Sequence, residues 1–153
     1  MVGAMEGPIR ILPLNELPAG LEALCAEAAR DGFHFMDRLM AEWRMGTNRF
    51  DQPGEVLLGA FECNGLIGTC GLNRDPYALQ GRIGRLRHLY IRRSARRRGV
   101  ASRLVARILD QAEGVFDTIR LRTDTAEAAA FYVRHGFVRA EAADASHIKL
   151  LRP

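Results

Sequence analysis

The chain has 153 residues, 48% of them apolar and 26% charged, which is the size and balance of one globular domain able to bury a core. No run of eighteen apolar residues occurs, which excludes a membrane-spanning helix, and Met1 to Pro8 lack the basic start and apolar stretch of a signal peptide. The formal charge of +4 favours an anionic partner. Lys149 is the one lysine, so the placement of the arginines carries more information than their number.

Ile9 to Leu12, ended by Pro13, alternates as a short strand. Asn15 is a candidate cap for a helix with Leu17, Leu21, Leu24, Cys25 and Ala28 on one stripe, stopping before Asp31-Gly32. A second helix carries Phe33, Met36, Leu39, Met40 and Trp43 and is broken at Gly46-Thr47-Asn48. Val56 to Phe61 and Leu66 to Leu72 read as strands joined by Asn64-Gly65, a pair suited to a hairpin turn with two positive φ values. A loop from Asp75 to Gly81 leads to a long strand, Ile83 to Ile91, in which Leu86, His88 and Tyr90 share one face and Arg87, Leu89 and Ile91 the other.

From Ala101 a helix shows Ala101, Leu104, Val105, Ile108 and Ala112 as its apolar stripe, with Gly114 as its stop. Thr118 to Arg122 is a further strand. Asp124 or Thr125 caps the next helix, with Glu127 spaced for a capping box from Asp124. That helix buries Ala128, Phe131 and Tyr132 and ends at Gly136; Phe137 to Arg139 and His147 to Leu150 close the chain as a strand pair. The order β-α-α-β-β-β-α-β-α-β-β, without repeat or linker, describes a single α/β domain of mixed sheet over residues 1–153. Cys25, Cys63 and Cys70 are odd in number and scattered. They have neither disulfide nor metal-ligand spacing, so buried reduced thiols, a cytoplasmic setting and no metal are expected.

The chemistry concentrates where the long strand runs into Arg92-Arg93-Ser94-Ala95-Arg96-Arg97-Arg98-Gly99-Val100-Ala101-Ser102 and a helix. A helix start presents unpaired backbone N–H groups and a partial positive charge. Gly99 and Ala101 keep side chains out of the way, so a phosphate can approach the backbone. Five arginines between Arg92 and Arg98 enlarge the positive field there. Neither a Walker A loop nor a dinucleotide fingerprint is present, since Gly65, Gly68 and Gly71 are evenly spaced by three.

Arg96-x-x-Gly99-x-Ala101 after a strand ending Leu89-Tyr90-Ile91, followed by Ala128-x-x-Phe131-Tyr132-x-x-x-Gly136-Phe137, resembles the two signature elements of the GNAT superfamily of acyl-CoA-dependent N-acetyltransferases. The resemblance implies the GNAT-type fold, in which the strand matching Leu86 to Ile91 splays from the one matching Ile119 to Arg122 and opens a V for the pantetheine arm. It implies acetyl-CoA as cosubstrate and a small-molecule or peptide amine as acceptor, attacked directly in a ternary complex. By the same analogy, backbone groups of Leu89, Tyr90 and Ile91 line the arm, and Arg96, Arg97, Arg98, Gly99, Val100, Ala101 and Ser102 hold the pyrophosphate. Tyr132 is implied as the general acid that protonates the departing thiolate. Many members have asparagine where Thr125 stands; the threonine hydroxyl either replaces it at the coenzyme or caps the helix. Homodimers are common in the family.

Tyr132 read from periodicity alone is a core aromatic. The general base stays open among His88, His147, Glu42, Asp51, Asp75 and Asp144, with His34 and His135 less suited. Acceptor recognition is expected from three variable stretches, Trp43 to Asp51, Asp75 to Tyr77 and Asp144 to His147; Trp43 and Phe50 equally suit a role anchoring a helix end. Two rivals remain. One is a catalytically silent acyl-CoA sensor. The other is a nucleic-acid-binding module suggested by the arginine run, although no helix-turn-helix, zinc finger or aromatic RNA-binding signature accompanies it.

Overall fold

The computed structural model of the chain describes residues 7–78 and 80–151. Met1 to Glu6, most of the stretch expected to lack a signal peptide, lie outside them. The elements are β1 (Ile9–Pro13), α1 (Leu21–Arg30), α2 (Phe35–Met45), β2 (Val56–Glu62), β3 (Gly65–Arg74), β4 (Ile83–Ile91), α3 (Val100–Ala112), β5 (Thr118–Leu121), α4 (Ala126–Arg134), β6 (Val138–Arg139) and β7 (His147–Leu150). A short 3-10 turn, Arg93–Ala95, joins β4 to α3. This is the expected order. Among the described residues the strands form one sheet in the order β1-β2-β3-β4-β5-β7-β6. Its one parallel pairing is β4 with β5.

Each face of the sheet has its own core. On one, α3 lays down Val100, Leu104, Val105, Ile108 and Ala112, all at most 2% exposed, against Cys70, Leu72, Leu86, Ile119 and Leu121, with Tyr132 of α4 in the same cluster. The apolar positions recur at helical spacing, so α3 forms because this stripe is buried rather than by propensity alone. On the other face, α1 and α2 bury Leu21, Leu24, Met36, Leu39 and Trp43 with Phe50 and Tyr90. Gly71 of β3 is required there: a Cβ would stand 2.7 Å from the Phe50 ring, closer than packed atoms allow.

Several boundaries differ from expectation. α1 starts at Leu21 rather than after Asn15, because Gly20 adopts a left-handed conformation (φ 92°) and the Leu21 amide turns back to the Pro18 carbonyl. The β2–β3 turn is carried by Cys63 (φ 51°) and Asn64 (φ 67°), one residue earlier than Asn64-Gly65, with Glu62 opposite Gly65. Register is decided by burial: Leu66 must reach one core and Ile67 the other. Cys25 and Cys70 are buried, as expected, whereas Cys63 is exposed on that turn. Thr125, not Asp124, caps α4, its Oγ1 accepting the Ala128 amide at 3.1 Å. The Asp124–Glu127 box does not form, since the amide three residues past the true cap belongs to Ala128.

Candidate active site: a splayed strand pair and a bare helix start

β4 and β5 pair over three residues only, Ile83 with Thr118, Gly84 with Ile119 and Arg85 with Arg120. Beyond Arg85, β4 runs on to Ile91 while β5 ends at Leu121, so the strands part and leave a V. The cause of the divergence is local. The β3–β4 register slips between Thr69 and Gly71, opposite His88, whose φ is +59°. This is a β-bulge carried by a non-glycine residue, which bends and twists its strand.

The bulge also overturns the simple alternation expected for β4. Leu86 and Ile91 belong to the α3 core and Tyr90 to the α1/α2 core. The His88 ring lies between Phe35 and Phe50, with centroids at 6.5 Å and 5.9 Å. Leu86 and Tyr90 therefore face opposite ways. The Arg92 N–H bonds the Ile67 carbonyl at 2.7 Å; backbone groups alternate along a strand, so Leu89 and Ile91 turn theirs from β3 toward the V. The Ile91 carbonyl accepts Arg96 Nε at 3.0 Å. Tyr90 sits differently from its two neighbours: its ladder position faces β3, and its hydroxyl donates to Glu27 of α1 at 2.6 Å. Burial, and then that bond, raise its phenol pKa.

At the end of β4 the chain makes a tight approach to α3. Arg97 and Gly99 both have positive φ (64° and 76°). Gly99 caps α3, and a Cβ there would meet nothing within 4 Å, so this position opens on unfilled space. The first helical bond in the segment runs from the Arg103 amide to the Gly99 carbonyl at 3.0 Å. The amides of Val100, Ala101 and Ser102 precede it and point out of the helix end. The Ser102 hydroxyl lies 3.0 Å from His135 Nε2 at the end of α4, joining the two helices that flank the V.

The arginine run is less open than its sequence suggests. Arg93 pairs with Asp31, the C-terminal cap of α1, and its amide donates to Glu27 at 3.0 Å. Arg96 lies over the Tyr90 ring at 5.3 Å and 3.8 Å from Asp31. Arg98 is held by Glu62 at the end of β2. Acids on α1 and β2 thus clamp the junction in place and neutralise much of its charge. Arg97 has no side-chain hydrogen bond or ion pair among the described residues, and it is exposed.

Tyr132 is 7% exposed, packed edge-on against Phe131 (5.3 Å) and Phe137 (5.6 Å) in the cluster that includes Ile91, with Leu89 against it. Burial, then the nearby Cys70, raise its pKa above the ordinary phenol value. It stays protonated at any working pH, the form a proton donor needs.

Two of the candidate histidines, His88 and His147, are weakened as bases. Burial, then Arg87, depress His88 from 6.5 to about 3, and neither ring nitrogen has a hydrogen-bond partner among the described residues. Burial, then Arg139, lower His147, whose Nδ1 lies 2.9 Å from Ser146 Oγ. Two carboxylates are occupied elsewhere. Asp75, with no exposed side-chain area, lies 3.4 Å from Arg85 and 3.2 Å from Arg120 Nε, the latter an ion pair whose angle misses that of a hydrogen bond. Asp144 pairs with Arg120, and its carbonyl accepts Arg85 Nη2 at 2.7 Å. This clasp sits at the vertex of the V, because Arg85 and Arg120 are the last paired residues of β4 and β5.

On the α2 side lies a cavity of about 330 Å³ whose wall includes Glu42, Asn48, Asp51, Asn73, Tyr77 and Arg87. Two of the three stretches expected to contact an acceptor contribute to it; Asp144 to His147 goes to the clasp and to β7 instead. The first stretch divides, with Trp43 and Phe50 in the core and Asn48, Arg49 and Asp51 on the wall. Asn73 and Arg87 are additions that the sequence did not single out, although a lone Asn closing the apolar run Leu66 to Leu72 and an Arg inside a buried strand are signals of the right kind.

Among the described residues no helix is long and apolar enough to cross a membrane, and no group of three or more His, Cys, Asp or Glu is placed to hold a metal. No curated protein matches the sequence. Solved structures share its fold. A candidate acetyltransferase from Exiguobacterium sp. 255-15 has 24% identity over 94% of this chain and 93% of its own, with TM-score 0.84. A GNAT-family acetyltransferase from Staphylococcus aureus Mu50 has 16% identity over 95% and 100%, with TM-score 0.75. A GNAT-family N-acetyltransferase from Escherichia coli, solved with CoA, has 20% identity over 99% and 84%, with TM-score 0.65. Residues 53–139, more than half of the chain and including β4, the bare helix start and Tyr132, match the family model for the acetyltransferase (GNAT) domain, and the chain belongs to the GNAT family of acetyltransferases.

Proposed function

We propose that this chain, acting as a single domain, is an N-acetyltransferase that moves an acetyl group from acetyl-CoA to a primary amine by direct attack in a ternary complex. The observation that carries this reading is the divergence of β4 from β5 after Arg85 and Arg120, which leads straight into the bare start of α3. An extended pantetheine arm fits a gap whose backbone donors and acceptors lack a strand partner, and a pyrophosphate fits N–H groups at a helix end. The solved E. coli family member holds CoA, which supports the same assignment here.

Leu89 and Ile91 present backbone groups to the arm, and the amides around Gly99 to Ser102 receive the pyrophosphate, with exposed Arg97 beside them. Thr125 accepts the Ala128 amide with one lone pair of its hydroxyl and keeps its O–H as a donor toward the coenzyme. The nucleophile is the free amine, so an ammonium acceptor gives up one proton before attack. The C–N bond then forms and the C–S bond breaks; the Tyr132 phenol supplies the proton to the leaving sulfur, and the new amide nitrogen releases its extra proton to solvent, from which the phenolate is reprotonated. His88, held neutral to about pH 3, does not serve as the base.

Thermal melting and thiol release test the proposal together. Acetyl-CoA is expected to raise the Tm and short duplex DNA to leave it unchanged, because Arg93, Arg96 and Arg98 are already paired with acids. A panel of primary amines is expected to release CoA thiol. Stabilisation by DNA alone would replace this reading with nucleic-acid binding, and coenzyme binding without turnover on any amine would make the chain an acyl-CoA sensor.

A further inference from the structure

The cavity on the α2 side carries a specific polar code. Asn73 is only 6% exposed, and its Oδ1 has no hydrogen-bond partner among the described residues. The Asn48 Nδ2 is likewise buried and unpaired; its orientation is fixed because Asn48 Oδ1 accepts the Phe50 amide at 3.0 Å. An orphan acceptor and an orphan donor thus belong to two residues that line one cavity, each atom covered until a side chain shifts to meet a ligand. Buried polar atoms left unpaired destabilise a fold, and they persist where water, an ion or a ligand completes them. Beside them, Arg87, with 11% of its side chain exposed, and Glu42, with 27%, stand 3.8 Å apart. That is wide of the 2.7–2.9 Å typical of a charge-assisted bond, so each keeps capacity for a second partner. The volume, about 330 Å³, lies at the small end of ligand sites.

Resting on the acetyltransferase reading above, we infer that the acceptor is a small zwitterionic amine of the α-amino-acid type. Its carboxylate is received by Arg87 and by the amide of Asn48, and its ammonium by Glu42 and by the Asn73 carbonyl oxygen. An α-amino acid carries its two charges as close together as Glu42 and Arg87 are held, so each end meets its complement. At the carboxylate end Arg87 disfavours a second cation, which makes a polyamine the poorer fit even though Asp51 and Glu55 also line the wall. The chemistry also provides for release. Acetylation removes the positive charge that Glu42 holds, and the product leaves a site built for an ammonium.

The test compares matched pairs that differ only by the carboxylate: L-leucine against 3-methylbutan-1-amine, and L-glutamine against 4-aminobutanamide, with L-leucinamide and spermidine alongside. Each is titrated calorimetrically into CoA-saturated protein and assayed by thiol release with acetyl-CoA. The amino acid is expected to bind at least about tenfold more tightly than its carboxylate-free twin, and Arg87→Gln to bring that ratio close to one. Asn73→Leu removes a buried orphan oxygen. It is expected to hold or raise the Tm while weakening the amino acid about tenfold; a large fall in Tm would make Asn73 a structural residue and remove it from the site. Equal or tighter binding of the twin, of the amide or of spermidine overturns the inference, and so does failure of every acceptor to bind. A chain that does not bind acetyl-CoA at all refutes the acetyltransferase reading instead, so the two failures are distinct.

Discussion

The two sides of β4 build their candidate sites from different material. On the α3 side the groups offered are main-chain amides and carbonyls at Leu89, Ile91 and the Gly99 helix start, and most neighbouring side chains turn inward to hold that backbone still, Arg93 and Arg96 on Asp31 and Arg98 on Glu62. On the α2 side the groups offered are side chains, Glu42, Asn48, Asn73 and Arg87, brought together from α2, the segment after it, β3 and β4. A backbone site suits a ligand shared across a family, because it survives exchange of most side chains. A side-chain site suits a ligand peculiar to one member, because single substitutions retune it.

The largest effect is expected where the two sides share a support. Asp75 closes the vertex of the V through Arg85 and Arg120, and the next residues, Pro76 and Tyr77, line the cavity. Asp75→Asn leaves Asp144 as the one carboxylate for two largely buried guanidinium groups, Arg85 and Arg120. Removing one partner of a buried ionic cluster costs about 3–5 kcal/mol, so the Tm should fall steeply and coenzyme and acceptor affinities should weaken together. If only one affinity changed, the vertex would not be a common support. Next comes Tyr132→Phe, which keeps the ring contacts to Phe131 and Phe137 and removes only the hydroxyl. A loss in kcat of about a hundredfold or more is expected at nearly unchanged Tm and acetyl-CoA affinity. Because the phenol is raised, the parent should show no alkaline loss of activity from this group below about pH 10. Unchanged turnover at all pH values would return Tyr132 to a packing role.

Gly99→Asp separates the two sides more gently. Aspartate tolerates the left-handed backbone better than most residues, and its Cβ meets open space, so the fold should hold. Its charge opposes a phosphate at the helix start, and acetyl-CoA affinity should fall about tenfold while amino-acid binding to the cavity stays within about twofold. A matching loss on the acceptor side would show that the two regions are not separable.

The same contrast explains what was legible in the sequence. The order of elements and both family signatures lay in local patterns, hydrophobic spacing and a glycine at a helix start, and these the structure reproduces from β1 to β7. The bulge at His88 was not legible, because its cause is tertiary. A histidine accepts φ +59° here since its ring is trapped between Phe35 and Phe50, and alternation along β4 was therefore misassigned at Tyr90. The pairing of the arginine run was hidden for a related reason. Glu27, Asp31 and Glu62 are distant in sequence, and nothing in the run Arg92 to Arg98 announces them. The clasp was the least visible part: Asp75 and Asp144 stand in the sequence as candidate bases, and nothing there joins them to Arg85 and Arg120 until the sheet brings all four to one vertex.

His88 stands where the two sides meet, its backbone shaping the V and its ring buried on the α2 side, and it offers the smallest and most specific test. In the unfolded chain it binds a proton below its ordinary 6.5; in the fold, burial and Arg87 delay protonation to about 3. Between those values the unfolded state holds the extra proton, so this group's contribution to stability is whole above pH 6.5 and is lost as the pH falls toward 3, at up to about 1.4 kcal/mol per pH unit. His88→Asn tolerates the same positive φ and does not titrate. Its Tm should lie below the parent's at pH 7, where packing against Phe35 and Phe50 is lost, and the gap should narrow steadily between pH 6.5 and 4. Carboxylates that titrate in that range act on both proteins alike and cancel in the difference. A gap constant with pH would mean that the ring is as free to take a proton in the fold as out of it, and the bulge would then owe its shape to something other than a neutral histidine locked between two aromatic rings.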